Sequence, residues 1–252
     1  QAHIESGKYF KIEKLEKILN CKLFRGLTLG IDPKIFTQGQ MKEFFLKYNK
    51  IKIINTNLID NIFNKYKINS KPFFSLNQKI TGESYKKRII KISKILKKHK
   101  SDYLLVTAPE NVAWLLNIRG YDNPNSPIPN CRLILTKNKK IFLISEKFKV
   151  TKLIREKKIL KNEVFETESF ERLINKLKSG KIIIDKKTCS IYLDKFLQKK
   201  FRILNKEDPI YLLKSIKNKI EIDNMVNAHL IDGVALTKFI FWLKNKKKIK
   251  YH

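Results

Sequence analysis

An α/β fold is what this chain predicts, and three observations carry that expectation. Short apolar runs bounded by polar residues recur at 27–31, 51–54, 103–107, 131–136, 141–145, 181–185 and 202–205. Between most of them lie stretches with the i, i+3, i+4 apolar spacing of a helix. Patterns alternating in this way bury their apolar sides as layers, helices over a sheet. The 252-residue length suits one large domain or two ordinary ones, and 42% hydrophobic content is ample for a core.

Taken in order, residues 1–5 read as the end of a helix and 9–12 as a short strand. Leu15, Ile18, Leu19 and Leu23 give 15–24 helical spacing. The strand at 27–31 closes on the turn signal Gly30-Ile31-Asp32-Pro33. Thr37 is a candidate N-cap for a helix over 38–48, followed by a strand at 51–54 and a short helix at 58–66. Residues 1–66 thus form a small α/β unit. Residues 67–80 are polar and broken, as linkers are, with Phe73 and Phe74 pinning them to a domain surface.

A second unit spans 81–213. Thr81 opens a helix to about residue 100, with Tyr85, Ile89, Ile92 and Leu96 on its apolar face. The strand at 103–107 leads into a helix over 109–117. Pro109 suits its first turn, and Glu110 complements the positive end of the helix. Three prolines in the six positions 124–129 then stiffen a loop that opens with Arg119-Gly120-Tyr121-Asp122. Strands at 131–136 and 141–145 form a hairpin. A helix over 148–157, a strand at 163–167 and a helix over 168–179 follow, the last C-capped by Gly180. A strand at 181–185, a helix capped by Thr188 or Ser190, and a strand at 202–205 complete the unit.

The last element, about 218–246, opens with Asn218-Lys219-Ile220-Glu221, a capping-box variant. Its second half is apolar nearly all round, and a helix of that kind must bury itself against something. An exposed face there predicts self-association. No unbroken run approaches the roughly 18 apolar residues that span a bilayer.

The net charge of +32 argues for a polyanionic partner. Against this, arginine occurs only at Arg25, Arg88, Arg119, Arg132, Arg155, Arg172 and Arg202. The remaining basic residues are lysines spread along every segment, whereas base and phosphate recognition favours arginine. A specific nucleic-acid function is not expected. The 3 cysteines are widely spaced with no CxxC, which suits reduced thiols and a cytoplasmic location. No signal peptide is apparent.

No catalytic centre is legible. The 4 histidines, His3, His99, His229 and His252, include no pair at i, i+4 and no HExxH. His99 sits among lysines at a helix end, and His229 and Asp232 lie within the last helix. Glycine-rich phosphate loops and GxSxG are absent from the sequence. The best candidates for a binding role are Arg119 and Asp122, an arginine and an aspartate at the mouth of a rigid loop; Trp114 is assigned to the core.

Three stretches carry a resemblance. PENVAWLLNIRGYDNPNSPIPNC at 109–131 resembles the second domain of the Xaa-Pro aminopeptidases, in the family that also holds creatinase and prolidase. LLKSIKNKIEIDNMVNAHLIDGVALTKFIFWL at 212–243 resembles the opening of that family's catalytic domain. LGIDPKIFT at 29–37 is similar, more weakly, to a run in its first domain. The resemblance implies creatinase N-terminal-like domains, each a mixed sheet flanked by helices. Residues 1–66 would be the second half of the first domain, 81–213 the whole second domain, and 214–252 the start of a "pita-bread" catalytic domain.

It implies further that the parent enzyme cleaves the bond between an N-terminal residue and a following proline. Two divalent metal ions, usually manganese, would be held by two Asp, one His and two Glu. None of those ligands matches a position here, so the resemblance places no catalytic or metal residue in this chain and makes the chain alone inactive. What it does imply is cleft shaping by Arg119 and Asp122, proline-containing peptides as partners, a homodimer, and no membrane. The rival expectations are a non-catalytic creatinase-like binding or dimerisation module and, less favoured, a basic nucleic-acid-binding protein.

Overall fold

The computed structural model describes residues 2–14, 25–45, 47–56 and 71–246. The helices expected at 15–24 and 58–66 lie outside these residues.

The amino-terminal part begins with helix α1 (Ala2–Ser6). The strand expected at 9–12 is irregular chain. Strands β1 (Thr28–Ile31) and β2 (Lys50–Ile53) then pair in parallel across helix α2 (Gln38–Phe44). Thr37 and Gln40 cap α2 reciprocally, each side chain meeting the other's backbone N–H, at 3.2 and 2.9 Å. The helix stops short of the expected residue 48.

The next segment deepens one expectation and corrects another. Residues 71–80 are held to the layered body through Phe73 and Phe74. Phe73 is fully buried in the main core, and β3 (Phe74–Ser75) later pairs with another strand. The helix expected from Thr81 is two helices. The short α3 (Gln78–Thr81) ends at Gly82 in the left-handed conformation (φ 69°), and Ser84 caps the long α4 (Tyr85–Lys98). A glycine at φ above zero stops a helix at little cost, which periodicity alone could not weigh.

The remaining elements build one layered body. They are β4 (Tyr103–Val106), α5 (Pro109–Leu116), β5 (Ile118–Arg119), β6 (Arg132–Thr136), β7 (Ile141–Ile144), α6 (Thr151–Arg155), β8 (Val164–Phe165), α7 (Phe170–Lys176), β9 (Gly180–Ile184), α8 (Ile191–Gln198), β10 (Phe201–Asn205) and α9 (Pro209–Ser215). Six strands form a mixed sheet in the order β10-β9-β4-β6-β7-β8. The pairs β10–β9, β9–β4 and β7–β8 are parallel; β4–β6 and the hairpin β6–β7 are antiparallel.

Strand periodicity divides the core in two. Leu104, Val106, Leu133, Leu135 and Leu143 face α4 and α5, meeting Ile92, Leu96, Val112 and Leu115. Tyr103, Leu105, Ile134, Ile182 and Ile184 face the other way, onto Phe170 and Leu173 of α7 and Leu193 and Leu197 of α8. The sheet therefore lies between two helical layers, as expected of a mixed sheet flanked by helices.

Gly180 has a different task from the C-cap anticipated for it. Leu177 ends α7, and Gly180 begins β9. A Cβ there would run into the Asp102 carboxylate, which accepts a hydrogen bond from Lys181 N at 2.9 Å and binds Lys137 Nζ at 2.7 Å. Close approach, and not backbone curvature, requires the glycine.

The small amino-terminal sheet packs on this body through Ile31, Met41 and Ile191. Ile191 N and Tyr192 N donate to Phe36 O and Pro33 O, both at 2.9 Å. The final helix, α10 (Lys219–Asn245), leaves the body from a short joint at its amino end, and no residue along it is buried. It holds an 18-residue window that by length and composition is apolar enough to cross a membrane. Asp232 and Lys238 interrupt that window, so it is not an unbroken apolar run, and the expectation that the chain lacks one stands. Among the described residues nothing covers Leu230, Ile231, Leu236, Phe239, Phe241 or Trp242.

A candidate substrate-facing loop and a clamped helix

The loop singled out by sequence is held rigidly. β5 pairs antiparallel with β3, setting Arg119 opposite Phe74. Gly120 N donates to Pro127 O at 3.0 Å, and a side chain on Gly120 would meet Pro129 Cα at 2.7 Å. Only glycine lets the two limbs of the loop close so tightly. Tyr121, about half exposed, lies against Phe74 with ring centres 5.2 Å apart.

Asp122 and Arg119 differ sharply in what they touch. Asp122 accepts from Asn130 N at 2.6 Å and pairs with Lys149 Nζ at 2.8 Å. Both side chains of that pair are almost completely buried, at 6% and 9% exposure. Burial pulls the Lys149 ammonium down, but Asp122 and Glu146 more than offset it and leave Lys149 raised. Asp122 thus ties the proline loop to the segment before α6. Arg119 donates to Ile118 O at 2.8 Å and, weakly, to Ala113 O at 3.5 Å. It has no ion-pair partner among the described residues, and burial lowers its pKa. A half-buried guanidinium with donors to spare is suited to a carbonyl or carboxylate ligand.

Beside it stands a residue that sequence reasoning missed. Arg88 projects from α4 into the interior, with its side chain 2% exposed. Its guanidinium donates to Trp114 O, Asn117 Oδ1 and Thr81 O, and it stacks on the Trp114 ring with 4.0 Å from Cζ to the ring centre. It also reaches Glu221 Oε1 at 3.2 Å and Glu83 Oε2 at 3.6 Å. Burial lowers its pKa, and the Glu221 and Glu83 charges oppose that. A signal was available: Arg88 falls at i+3 from Tyr85 and i−4 from Ile92, on the apolar face of α4, where a solvated charge does not belong.

Arg88 is the centre of a joint between the layered body and α10. Asn218 and Glu221 form the reciprocal cap of α10, as their spacing predicted. Asn218 Nδ2 donates to Thr81 O at 2.9 Å, and Asn224 Nδ2 donates to Ile80 O at 3.0 Å. The Asn218 amide occupies the place a Gly82 side chain would take. The same capping residues therefore close the helix and dock it.

Among the described residues no group of three or more His, Cys, Asp or Glu is placed to hold a metal ion. The donor set of the described residues does not fit a dinuclear centre. Cys131 and Cys189 are buried free thiols, Cys189 pushed by burial up to about 12, so neither is nucleophilic at neutral pH. His229 lies along the uncovered α10.

The layered sheet and its clamped carboxy-terminal helix define a domain class. The chain belongs to the creatinase/prolidase N-terminal domain family, whose model matches residues 64–221. It is similar to Xaa-Pro aminopeptidase 1 of Dictyostelium discoideum, with 30% identity over 241 residues, covering 86% of this chain and 37% of that protein. It is similar also to Xaa-Pro aminopeptidase ApepP of Drosophila melanogaster, with 28% identity over 233 residues, covering 88% and 38%. The X-prolyl aminopeptidase of Caenorhabditis elegans, a cytosolic enzyme with a di-nuclear active site, shares the fold with a TM-score of 0.74 at 22% identity. That match covers 94% of this chain and 40% of the other. The chain therefore spans well under half the length of these relatives.

Proposed function

We propose that this chain is the amino-terminal portion of a cytoplasmic, metal-dependent Xaa-Pro aminopeptidase, which hydrolyses the bond between an N-terminal residue and a following proline. The observation that carries the reading is the likeness to Xaa-Pro aminopeptidases over 86% of the chain. In this reading the two metal ions, manganese by resemblance, are held by residues beyond those present, and the chain alone is inactive. Its own contribution is positioning. Arg119 offers guanidinium donors to a peptide carbonyl or carboxylate in the cleft, Asp122 holds the loop that presents it, and the Arg88 joint sets the angle at which α10 enters the catalytic domain. The uncovered side of α10 is buried by that domain, and the parent enzyme is a homodimer.

The test joins this chain to the sequence encoded after it and measures release of the N-terminal residue from Xaa-Pro peptides, with and without a chelator. Chelator-sensitive release supports the proposal; no release from any Xaa-Pro peptide overturns it. Within an active enzyme, Arg119→Ala is expected to lower kcat/KM about tenfold or more on tripeptides and longer substrates, the loss of a charge-assisted hydrogen bond. An unchanged kcat/KM on those substrates removes Arg119 from the cleft.

A further inference from the structure

An unusual lysine in this lysine-rich chain follows α6. Lys157, two residues past the end of α6, has a left-handed φ of 53°, and the chain turns there so that Lys158 N donates back to Leu153 O at 2.9 Å. Lys158 extends into the body and donates from Nζ to the backbone carbonyl of Asn117 at 3.0 Å, with the Tyr85 ring centre 5.4 Å away. Among the described residues no carboxylate lies within ion-pairing distance of it, whereas Lys91, Lys137, Lys147, Lys149, Lys186 and Lys187 all have one.

An open cleft of about 460 Å³ lies over Lys158. Its walls include the apolar Ile90 and Leu160, both substantially exposed, and its rim carries Lys86 of α4, Lys139 of the β6–β7 hairpin and Lys157. The ionisable groups facing Lys158 are thus Tyr85, these three lysines, Glu163, and Glu156 of its own segment. Burial pulls the Lys158 ammonium down to about 8, with Glu156 opposing weakly. A desolvated lysine without a counter-ion is the form in which an amine becomes a nucleophile at neutral pH.

We propose that Lys158 is a site of Nε-acylation, fed by a small activated acyl donor, a thioester or an acyl phosphate, admitted through this cleft. The Nζ lone pair adds to the donor carbonyl carbon and forms the C–N bond. The C–S or C–O bond breaks, the thiolate or phosphate leaves with the electron pair, and the displaced amine proton passes to solvent. The product amide is neutral and keeps one N–H for the Asn117 carbonyl, so it removes the uncompensated charge without orphaning its acceptor. The cationic rim attracts the phosphate-bearing donor, and the apolar walls accommodate its acyl group.

The experiment is a competition among the chain's own lysines. The 252-residue chain is exposed at pH 7.4 to limiting acetyl phosphate in one arm and acetyl-coenzyme A in another, and acetylation at each lysine is read by peptide mass spectrometry. Lys158 is expected to label about tenfold faster than the median lysine, because its free-amine fraction is larger by about two powers of ten and its intrinsic nucleophilicity is lower. A preference in either arm supports the proposal, and the faster arm identifies the donor. The Lys158 rate is expected to level off above pH 8 while the exposed lysines continue to accelerate toward pH 10. In denaturing urea the preference is expected to vanish. Labelling of Lys158 at or below the median in both arms overturns the proposal, as does a preference that persists in urea and so owes nothing to the cleft.

Discussion

Strands β4 and β9 and helix α10 are all rich in large aliphatic residues, yet they end in opposite environments. Leu104, Leu105, Val106, Ile182, Ile183 and Ile184 are at most 1% exposed, while Leu230, Ile231, Leu236 and Phe241 of α10 are 59% exposed or more. The sheet completes its burial within this chain because each strand presents alternate residues to helices on either side. α10 has one anchored end and, among the described residues, no second layer. Hydrophobicity therefore specifies that a segment will be buried, and topology specifies whether the burying partner is local. At the joint of Arg88 and Asn218, polar contacts fix the first turn of α10, while its apolar length is uncovered among the described residues.

The comparison can be broken most directly by truncating one leucine on each side of it. Leu133→Ala, at a fully buried position in the sheet, is expected to destabilise the chain by about 3–4 kcal/mol in urea denaturation. Leu236→Ala, 59% exposed on α10, is expected to change it by less than about 0.5 kcal/mol. With the proposed catalytic domain joined to the chain, the Leu236 cost should rise toward core values. Equal small costs with and without that domain would show that α10 is not its core helix.

Next in size is the joint. Arg88→Met keeps much of the stem's bulk but strands the Asn117, Thr81 and Trp114 acceptors together with Glu221. A loss of about 3 kcal/mol is expected, accompanied by faster amide exchange over the first turns of α10. If exchange there is unchanged, the clamp does not hold the helix.

A smaller effect is pH-dependent. Asp208 caps α9, accepting from Ile210 N at 2.9 Å and Asn111 Nδ2 at 2.8 Å, and its backbone N–H donates to Asp185 Oδ2 at 3.1 Å. Burial pushes its carboxyl up to about 6. A carboxyl raised in the folded state contributes stability below its ordinary pKa near 4, and this is lost as pH rises through 6. Relative to Asp208→Asn, the wild type is therefore expected to lose on the order of 2 kcal/mol between pH 4 and 7. A difference between the two proteins that stays flat across that range would place Asp208 in a more solvated setting than the structure shows.

Much of this architecture was legible because local rules and tertiary packing agree in it. The runs at 103–107, 131–136 and 141–145 are strands to within a residue or so, since their apolar residues, packed on both faces, leave no other compact arrangement. The caps at Thr37 and Asn218 were likewise readable, and Ser190 was one of two candidates with Thr188, because a side-chain oxygen satisfying a backbone N–H three residues on is a contact within one turn. Helices over 38–48 and 81–100 came out shorter. Where a helix stops depends on a left-handed residue such as Gly82, or on the chain finding another partner.

The sequence by itself determined the layered α/β class, the rigid loop after Arg119, the capped start of α10, and the family that those residues resemble. All follow from spacing and from interactions spanning a few residues. Only the tertiary structure decided that Asp122 is consumed by Lys149 while Arg119 keeps donors free, that Arg88 is the buried centre of the joint, and that Lys158 lies under a cleft with no ion-pair partner among the described residues. Each depends on which charges meet across the fold, over separations from 27 residues for Asp122 and Lys149 to 133 for Arg88 and Glu221. The energy of a charge is set by its burial and its partners, and neither is written in the residues adjacent to it.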